Sequence, residues 1–150
     1  MRGGDSFFVD TNVLLYSVDS SERRKREQAW QWLAQLWEQG NGRISWQVLH
    51  EFYANATRKM RLDSSRARAV VRGYAEWTPV EVTLGLVEQA WLWMDQAQLP
   101  YWDALIVAAA ERAGSGWLLS EDFQDGRRFG SLTVLNPLLH HPGEYGLAGE

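Results

Sequence analysis

The sequence predicts an α/β domain built on a small, mostly parallel sheet, and three observations carry that prediction. Short β-prone runs alternate along the chain with longer stretches of helical period. Two of these runs, FFVD and LLSED, end on acidic turns, the position where open α/β sheets place their ligand crevice. The chain has 150 residues, 45% of them hydrophobic, enough for one domain burying about 68–70% of its unfolded surface. No internal repeat or low-complexity linker interrupts it.

Phe7-Phe8-Val9 is the first short strand, and Thr11 to Ser17 reads as a helical turn with Asp10 or Thr11 as cap. Ser20 or Ser21 caps a helix running to Gln39, with Trp30, Leu33 and Trp37 on one face and Gly40 and Gly42 bounding its exit. Arg43-Ile44-Ser45 is read as the second strand. Trp46 to Met60 is helical, with Val48, Phe52 and Ala56 on one stripe, and Ser64 or Ser65 caps a helix through Trp77. Pro79 to Val82 is read as a third strand, followed by a helix from Thr83 to about Gln98 whose stripe includes Leu86, Ala90 and Trp93. Pro100 opens a helix over Tyr101 to Arg112, stopped at Gly114. Trp117-Leu118-Leu119 and Leu132 to Leu135 complete the strands. The Gly- and Pro-containing tail over 139–150 is expected to be loose.

With no cysteine, disulfides, thiolate zinc sites and Cys nucleophiles are excluded, which suits a reducing compartment. Asp5 and Asp10 interrupt any apolar run near the start, so no signal peptide is read. The longest clean apolar run, Ala104 to Ala110, is far short of the roughly 20 residues that span a bilayer. A soluble cytoplasmic protein with no membrane partner is expected. The formal charge of −4 hides a segregation: residues 1–22 carry −3, residues 23–72 carry +7 and residues 73–150 carry −8. The basic stretch is suited to phosphates, or is simply the solvated face of two helices.

Four acids stand against apolar neighbours: Asp10 in FFVDTNVLLY, Glu51 in WQVLHEFYANA, Asp103 in YWDALIVAAA and Asp122 in LLSEDFQDG. A carboxylate drawn toward a core needs a partner or a cation. Arg112 is the sole base between Asp103 and Asp122, so a shared divalent cation is the economical explanation. Oxygen ligands without Cys or His suit Mg²⁺ or Mn²⁺, ions that activate water and stabilise a leaving oxygen in phosphodiester hydrolysis. Each acid also has a plainer reading: Asp10 and Asp103 as helix N-terminal residues, Glu51 as a solvated helix acid, Asp122 and Asp125 as turn formers before Gly126. Composition alone does not show that the four converge.

Taken together, VDTNVLLY, the HEF helix, YWDALIVAAA, LLSEDFQDG and LTVLNP resemble the PIN domain, and more narrowly the VapC-type toxin ribonucleases of toxin–antitoxin pairs. The likeness covers about residues 7–138. It implies a three-layer α/β/α domain, a small parallel sheet flanked by helices, whose acids gather at the strand carboxyl ends. By motif, Asp10, Glu51, Asp103 and Asp122 become the catalytic acids, with Asp10, Asp103 and Asp122 on Mg²⁺ or Mn²⁺. Thr11, Asn12 and Ser120 match positions that orient carboxylates or water, and Asp125 is read either as an extra acid of the site or as a turn residue. The implied reaction is hydrolysis of an RNA phosphodiester to a 5′-phosphate and a 3′-hydroxyl, and the implied partners are an RNA substrate, a cognate antitoxin and a second copy of the chain.

Most of the nine tryptophans should be core or interface, but Trp46 and Trp102 lie close in sequence to Glu51 and Asp103 and are candidates for RNA contact. Arg58 and Lys59 are candidates for phosphates, and so are the bases at 23–26. His50, His140 and His141 are read as packing or incidental residues. A phosphoacceptor receiver domain is disfavoured because the only lysines are Lys25 and Lys59. A haloacid-dehalogenase-type phosphatase is disfavoured because Asn12 stands two residues after Asp10. The competing non-enzyme reading is a catalytically weak PIN-like module that only binds RNA or protein.

Overall fold

Phe7, Phe8 and Val9 are all buried, as expected of a strand covered on both faces. In the computed structural model, which describes residues 5–147, they form β1 (Phe7–Val9), followed by α1 (Thr11–Ser17), α2 (Arg23–Gln39), β2 (Gly42–Arg43), α3 (Trp46–Arg58), α4 (Ser64–Tyr74), α5 (Leu84–Ala97), α6 (Tyr101–Arg112), β3 (Trp117–Leu119), β4 (Arg128–Phe129) and β5 (Leu132–Leu135). The sheet order is β2-β1-β3-β5-β4. All pairings are parallel except the β4–β5 hairpin. With the helices flanking it, this is the mostly parallel three-layer α/β/α arrangement that the sequence predicts.

The order 2-1-3 makes the chain reverse direction across the sheet between β1 and β3. Open α/β sheets bind ligands at such a switch point, beyond the strand carboxyl ends. Asp10 follows β1 and Ser120 to Asp122 follow β3, so two of the four acids flank the crevice by topology alone.

α6 explains why one helix reads as a continuous apolar run. Ala104 through Ala110 are all buried, and a helix apolar all round is a helix covered all round. Its acidic first turn, Asp103, is the place where the run meets the crevice. Gly114, with φ +74°, takes the left-handed conformation that ends the helix.

Four expectations are corrected, the last of them in the tail. The buried stripe of α2 is Ala29, Trp32, Leu33 and Leu36, not Trp30, Leu33 and Trp37; Trp30 and Trp37 flank that stripe and are exposed. Pro79–Val82 does not form a strand. Thr78 is left-handed at φ 53°, Pro79 lacks a donor, and only Val80 bridges back to Ser45. The second strand stops at Arg43, because Ser45 turns to cap α3, accepting from the Val48 backbone N–H at 3.3 Å.

The tail to residue 147 is packed rather than loose. Trp32 Nε1 donates to the carbonyls of Pro137 and His140, each at 3.0 Å, and Pro142 and Leu147 are buried. A wholly buried Trp needs a partner for its N–H, and here the chain after β5 supplies it. Residues 148–150 of the expected loose tail lie outside the described residues.

Candidate functional site

Asp10 is the N-cap of α1, accepting from the Thr11 backbone N–H at 2.7 Å. The plain reading of this residue is therefore true, but it accounts for only one of its two oxygens. Oδ2 accepts from Ser120 Oγ at 2.7 Å and from Asn12 Nδ2 at 3.3 Å. Ser120, wholly buried after β3, thus ties the two strand ends together across the switch point.

Asn12 extends the tie. Its amide also reaches Ser120 Oγ at 3.3 Å and Asp122 Oδ2 at 3.1 Å, while its Oδ1 accepts from the Glu121 backbone N–H at 3.1 Å. Ser120 Oγ in turn accepts from the Asp122 backbone N–H at 3.0 Å. Asp10 and Asp122 are held on a common scaffold of Asn12 and Ser120, without any basic residue.

Glu51 enters from α3. Thr11 Oγ1 donates to its Oε1 at 2.7 Å and Gln47 Nε2 to its Oε2 at 3.1 Å. Gln47 also donates to the Trp102 carbonyl at 3.3 Å, linking α3 to the first turn of α6 where Asp103 sits. Sequence reasoning passed over Gln47, and the available signal was its position one helical turn before Glu51 on the same face. Tyr16 is a second omission: its hydroxyl donates to Glu121 at 2.6 Å.

The electrostatics follow from this arrangement. Burial pushes the Asp10 carboxyl up to about 7, the bonds from Ser120 and Thr11 pull it back, and the charges of Asp122 and Glu51 raise it further. Asp103 is raised by burial and by the same two carboxylates. Asp10 and Asp103 each stand in the field of Asp122 and Glu51. Two raised carboxyls beside further acids are the electrostatic pattern of a candidate site for a cation or a proton.

The donor set is hard oxygen throughout, with no thiol in the chain, and fits Mg²⁺ or Mn²⁺ better than zinc. Among the described residues, no three acids or histidines already close on one point as a ligand cage. Each carboxylate leans instead on Thr11, Asn12, Ser120 or Gln47, or toward solvent.

The PIN domain family model matches residues 7–125 of this sequence. The chain belongs to the PIN domain family. No curated protein sequence matches it. Among solved structures, a toxin–antitoxin complex from Klebsiella pneumoniae aligns with a TM-score of 0.59 and 20% identity over 88% of this chain and 98% of that one. VapC20 of Mycobacterium tuberculosis, described as a Sarcin-Ricin loop cleaving toxin, aligns with a TM-score of 0.54 and 23% identity over 78% and 92%. At these identities the likeness is one of fold.

Within this PIN domain the remaining candidates separate. Trp102 is 62% exposed and borders, with Tyr101 and Glu51, a cavity of about 540 Å³. Trp46 does not border the acids; its ring lies 6.0 Å from that of His50 in a groove between α3 and α4. Arg58 and Lys59 are exposed at the far end of α3, about 10–12 Å along the helix axis from Glu51. Asp125 belongs to a different network, accepting from the Asn136 backbone N–H at 2.8 Å and pairing with His140 at 2.9 Å.

Proposed function

We propose that this PIN domain is a divalent-metal-dependent endoribonuclease and the toxin of a toxin–antitoxin pair. One observation carries the reading: a buried Asp10, its carboxyl raised to about 7, at the switch point of a PIN sheet and in the field of other acids. Such a charge is costly to bury without a counter-ion, and the chain places hydroxyl and amide donors around it rather than a base. The structural neighbours, a toxin–antitoxin complex and a Sarcin-Ricin loop cleaving toxin, support both the chemistry and the biological setting.

On this reading Asp10, Asp103 and Asp122 hold Mg²⁺ or Mn²⁺, and Glu51 is the fourth catalytic acid. When bound, the ion lowers the pKa of water and stabilises the oxygen leaving the phosphodiester. Ser120 and Asn12 orient Asp10 and Asp122, and Thr11 with Gln47 holds Glu51 at the mouth of the cavity shared with Trp102. Hydrolysis leaves a 5′-phosphate and a 3′-hydroxyl. The protein acts in the cytoplasm as a homodimer and is held inactive by an antitoxin. Among the described residues no helix is long and apolar enough to cross a membrane.

The test is cleavage of total cellular RNA by the purified protein with Mn²⁺ or Mg²⁺, beside EDTA and Asp103→Asn. Discrete 5′-phosphate ends are expected. Removing one such electrostatic contact should lower the rate about a hundredfold to a thousandfold. A folded wild type that cleaves no RNA with either ion leaves instead a PIN-like module that only binds RNA or protein.

A further inference from the structure

We propose that the groove between α3 and α4 is a subsite for a nucleotide flanking the scissile bond, with Trp46 and Tyr53 offering base-stacking faces and Arg68 and Arg72 taking phosphate. The inference rests on the ribonuclease reading above and extends it to a surface outside the acid cluster.

The two helices present matched stripes. α3 contributes Trp46, His50 and Tyr53 at one-turn spacing, and α4 contributes Arg68 and Arg72 four residues apart, all lining one cavity of about 310 Å³. Arg68 Nε donates to the Tyr53 hydroxyl at 3.2 Å, which fixes one edge of a guanidinium that carries five N–H donors. Like charges four apart on a helix destabilise it, yet among the described residues no carboxylate forms an ion pair with either arginine. Two unneutralised guanidiniums beside aromatic rings match the stacking and backbone-tracking chemistry of single-stranded nucleic acid.

Position selects RNA over a protein partner. His50 lines this groove and also the cavity of Glu51 and Trp102, so the two spaces adjoin across a single side chain. A polyanion held at four acids, on a chain of net charge −4, needs its neighbouring phosphates neutralised close by. A strand leaving the acids past Trp102 and over His50 meets Arg68 and Arg72.

The probes are fluorescein-labelled, mixed-sequence single-stranded oligoribonucleotides of about 4 and about 12 nucleotides, a short and a long length within the range of single-strand site sizes. They are titrated in EDTA against the Asp103→Asn protein, with thermal melts confirming each variant's fold. Arg68→Gln/Arg72→Gln should weaken the longer probe about tenfold or more and leave the shorter one unchanged. Its log–log salt slope should fall by about 1.4, or roughly 0.7 per lost phosphate contact. Trp46→Leu, which keeps an apolar side chain but removes the aromatic face, should weaken the longer probe about tenfold, and Trp46→Phe should restore it. With the acids intact, the arginine variant should raise KM for RNA cleavage while kcat stays near wild type. Wild-type affinity, salt slope and KM in the arginine variant would overturn the groove assignment, and so would loss of a co-purifying protein with RNA binding unchanged. Absence of any RNA cleavage by the unaltered protein, in contrast, overturns the ribonuclease reading itself.

Discussion

Asp10 and Asp125 both follow strands of the sheet, and their surroundings treat the same carboxyl group in opposite ways. Asp10 is buried among hydroxyl and amide donors and other acids, and its carboxyl is raised to about 7. Asp125 feels a smaller burial that would raise it, but the Asn136 N–H and the His140 ring outweigh this and hold it below its usual value. His140 is raised in turn by Asp125, and Glu144 adds a second acid at 3.5 Å. One carboxylate keeps an uncompensated charge at the switch point; the other is neutralised and fastens the chain after β5. The contrast separates an acid whose charge costs stability from an acid whose charge contributes to it.

The largest break in that contrast comes from neutralising Asp10. A carboxyl raised from 3.8 to about 7 on folding binds more protons folded than unfolded in that window, so its destabilising effect is absent below pH 3.8 and complete above about 7. Metal-free wild type should therefore gain stability relative to Asp10→Asn as pH falls from about 8 to about 4, by an amount on the order of a few kcal/mol. Urea melts of the two proteins across pH, in EDTA, measure this difference, and the subtraction removes the titration of His140. Mn²⁺ at pH 8 should raise the melting temperature of wild type and leave Asp10→Asn nearly unmoved. Equal pH profiles for the two proteins would mean that Asp10 is not the strained acid.

A smaller effect is expected from Ser120→Ala, which removes the donor to Asp10 Oδ2 at 2.7 Å and the acceptor of the Asp122 N–H. The hydroxyl fastens two acids at once, so its loss should weaken Mn²⁺ binding by about 10- to 100-fold. It should also move the Asp10 titration further up, because a bond that favoured the charged form is gone. Isothermal titration with Mn²⁺ reads the first effect and the pH dependence of stability reads the second. Unchanged Mn²⁺ affinity would reduce Ser120 to a packing residue.

The candidate acids stood out in the sequence more clearly than the elements around them. Asp10, Glu51, Asp103 and Asp122 could be singled out because each breaks an apolar run, and strand-end placement follows from local pattern. The long helices were legible for the same reason, through the 3.6-residue period of Val48, Phe52 and Ala56. What failed depended on partners distant in sequence. Trp30 and Trp37 share a helical face with Leu33, yet the core takes Trp32, because Pro137 and His140 offer its N–H a carbonyl more than a hundred residues away. Val80 looks strand-like, but the left-handed Thr78 before it lets only one bridge form. Gly42 packs so closely on the Trp77 ring that an added Cβ would lie 2.3 Å from it, a contact no local window records. The groove arginines Arg68 and Arg72 escaped notice because their significance lies in the facing aromatics of α3.

The finest test of the contrast is Asp125→Asn, where the expected effect is small. The amide oxygen still accepts from the Asn136 N–H, so the substitution removes the charge opposite His140 and little else. Both side chains of the pair are about 30% exposed, and a partly solvated pair of this kind contributes up to about 1 kcal/mol. Its pH window follows from two opposite shifts. The raised His140 contributes fully below 6.5 and loses its contribution as pH rises through its folded value; the lowered Asp125 contributes above 3.8 and loses its contribution as pH falls through its folded value. Wild type should therefore exceed Asp125→Asn in stability most between about pH 4 and 6.5, and the two should converge at higher pH. RNA cleavage should be unaffected, since Asp125 is anchored to the chain after β5 and does not share the Asn12–Ser120 scaffold. A hundredfold fall in cleavage with stability unchanged would instead make Asp125 a fifth member of the acid site, and would require the loop between β3 and β4 to swing away from His140 when the substrate binds.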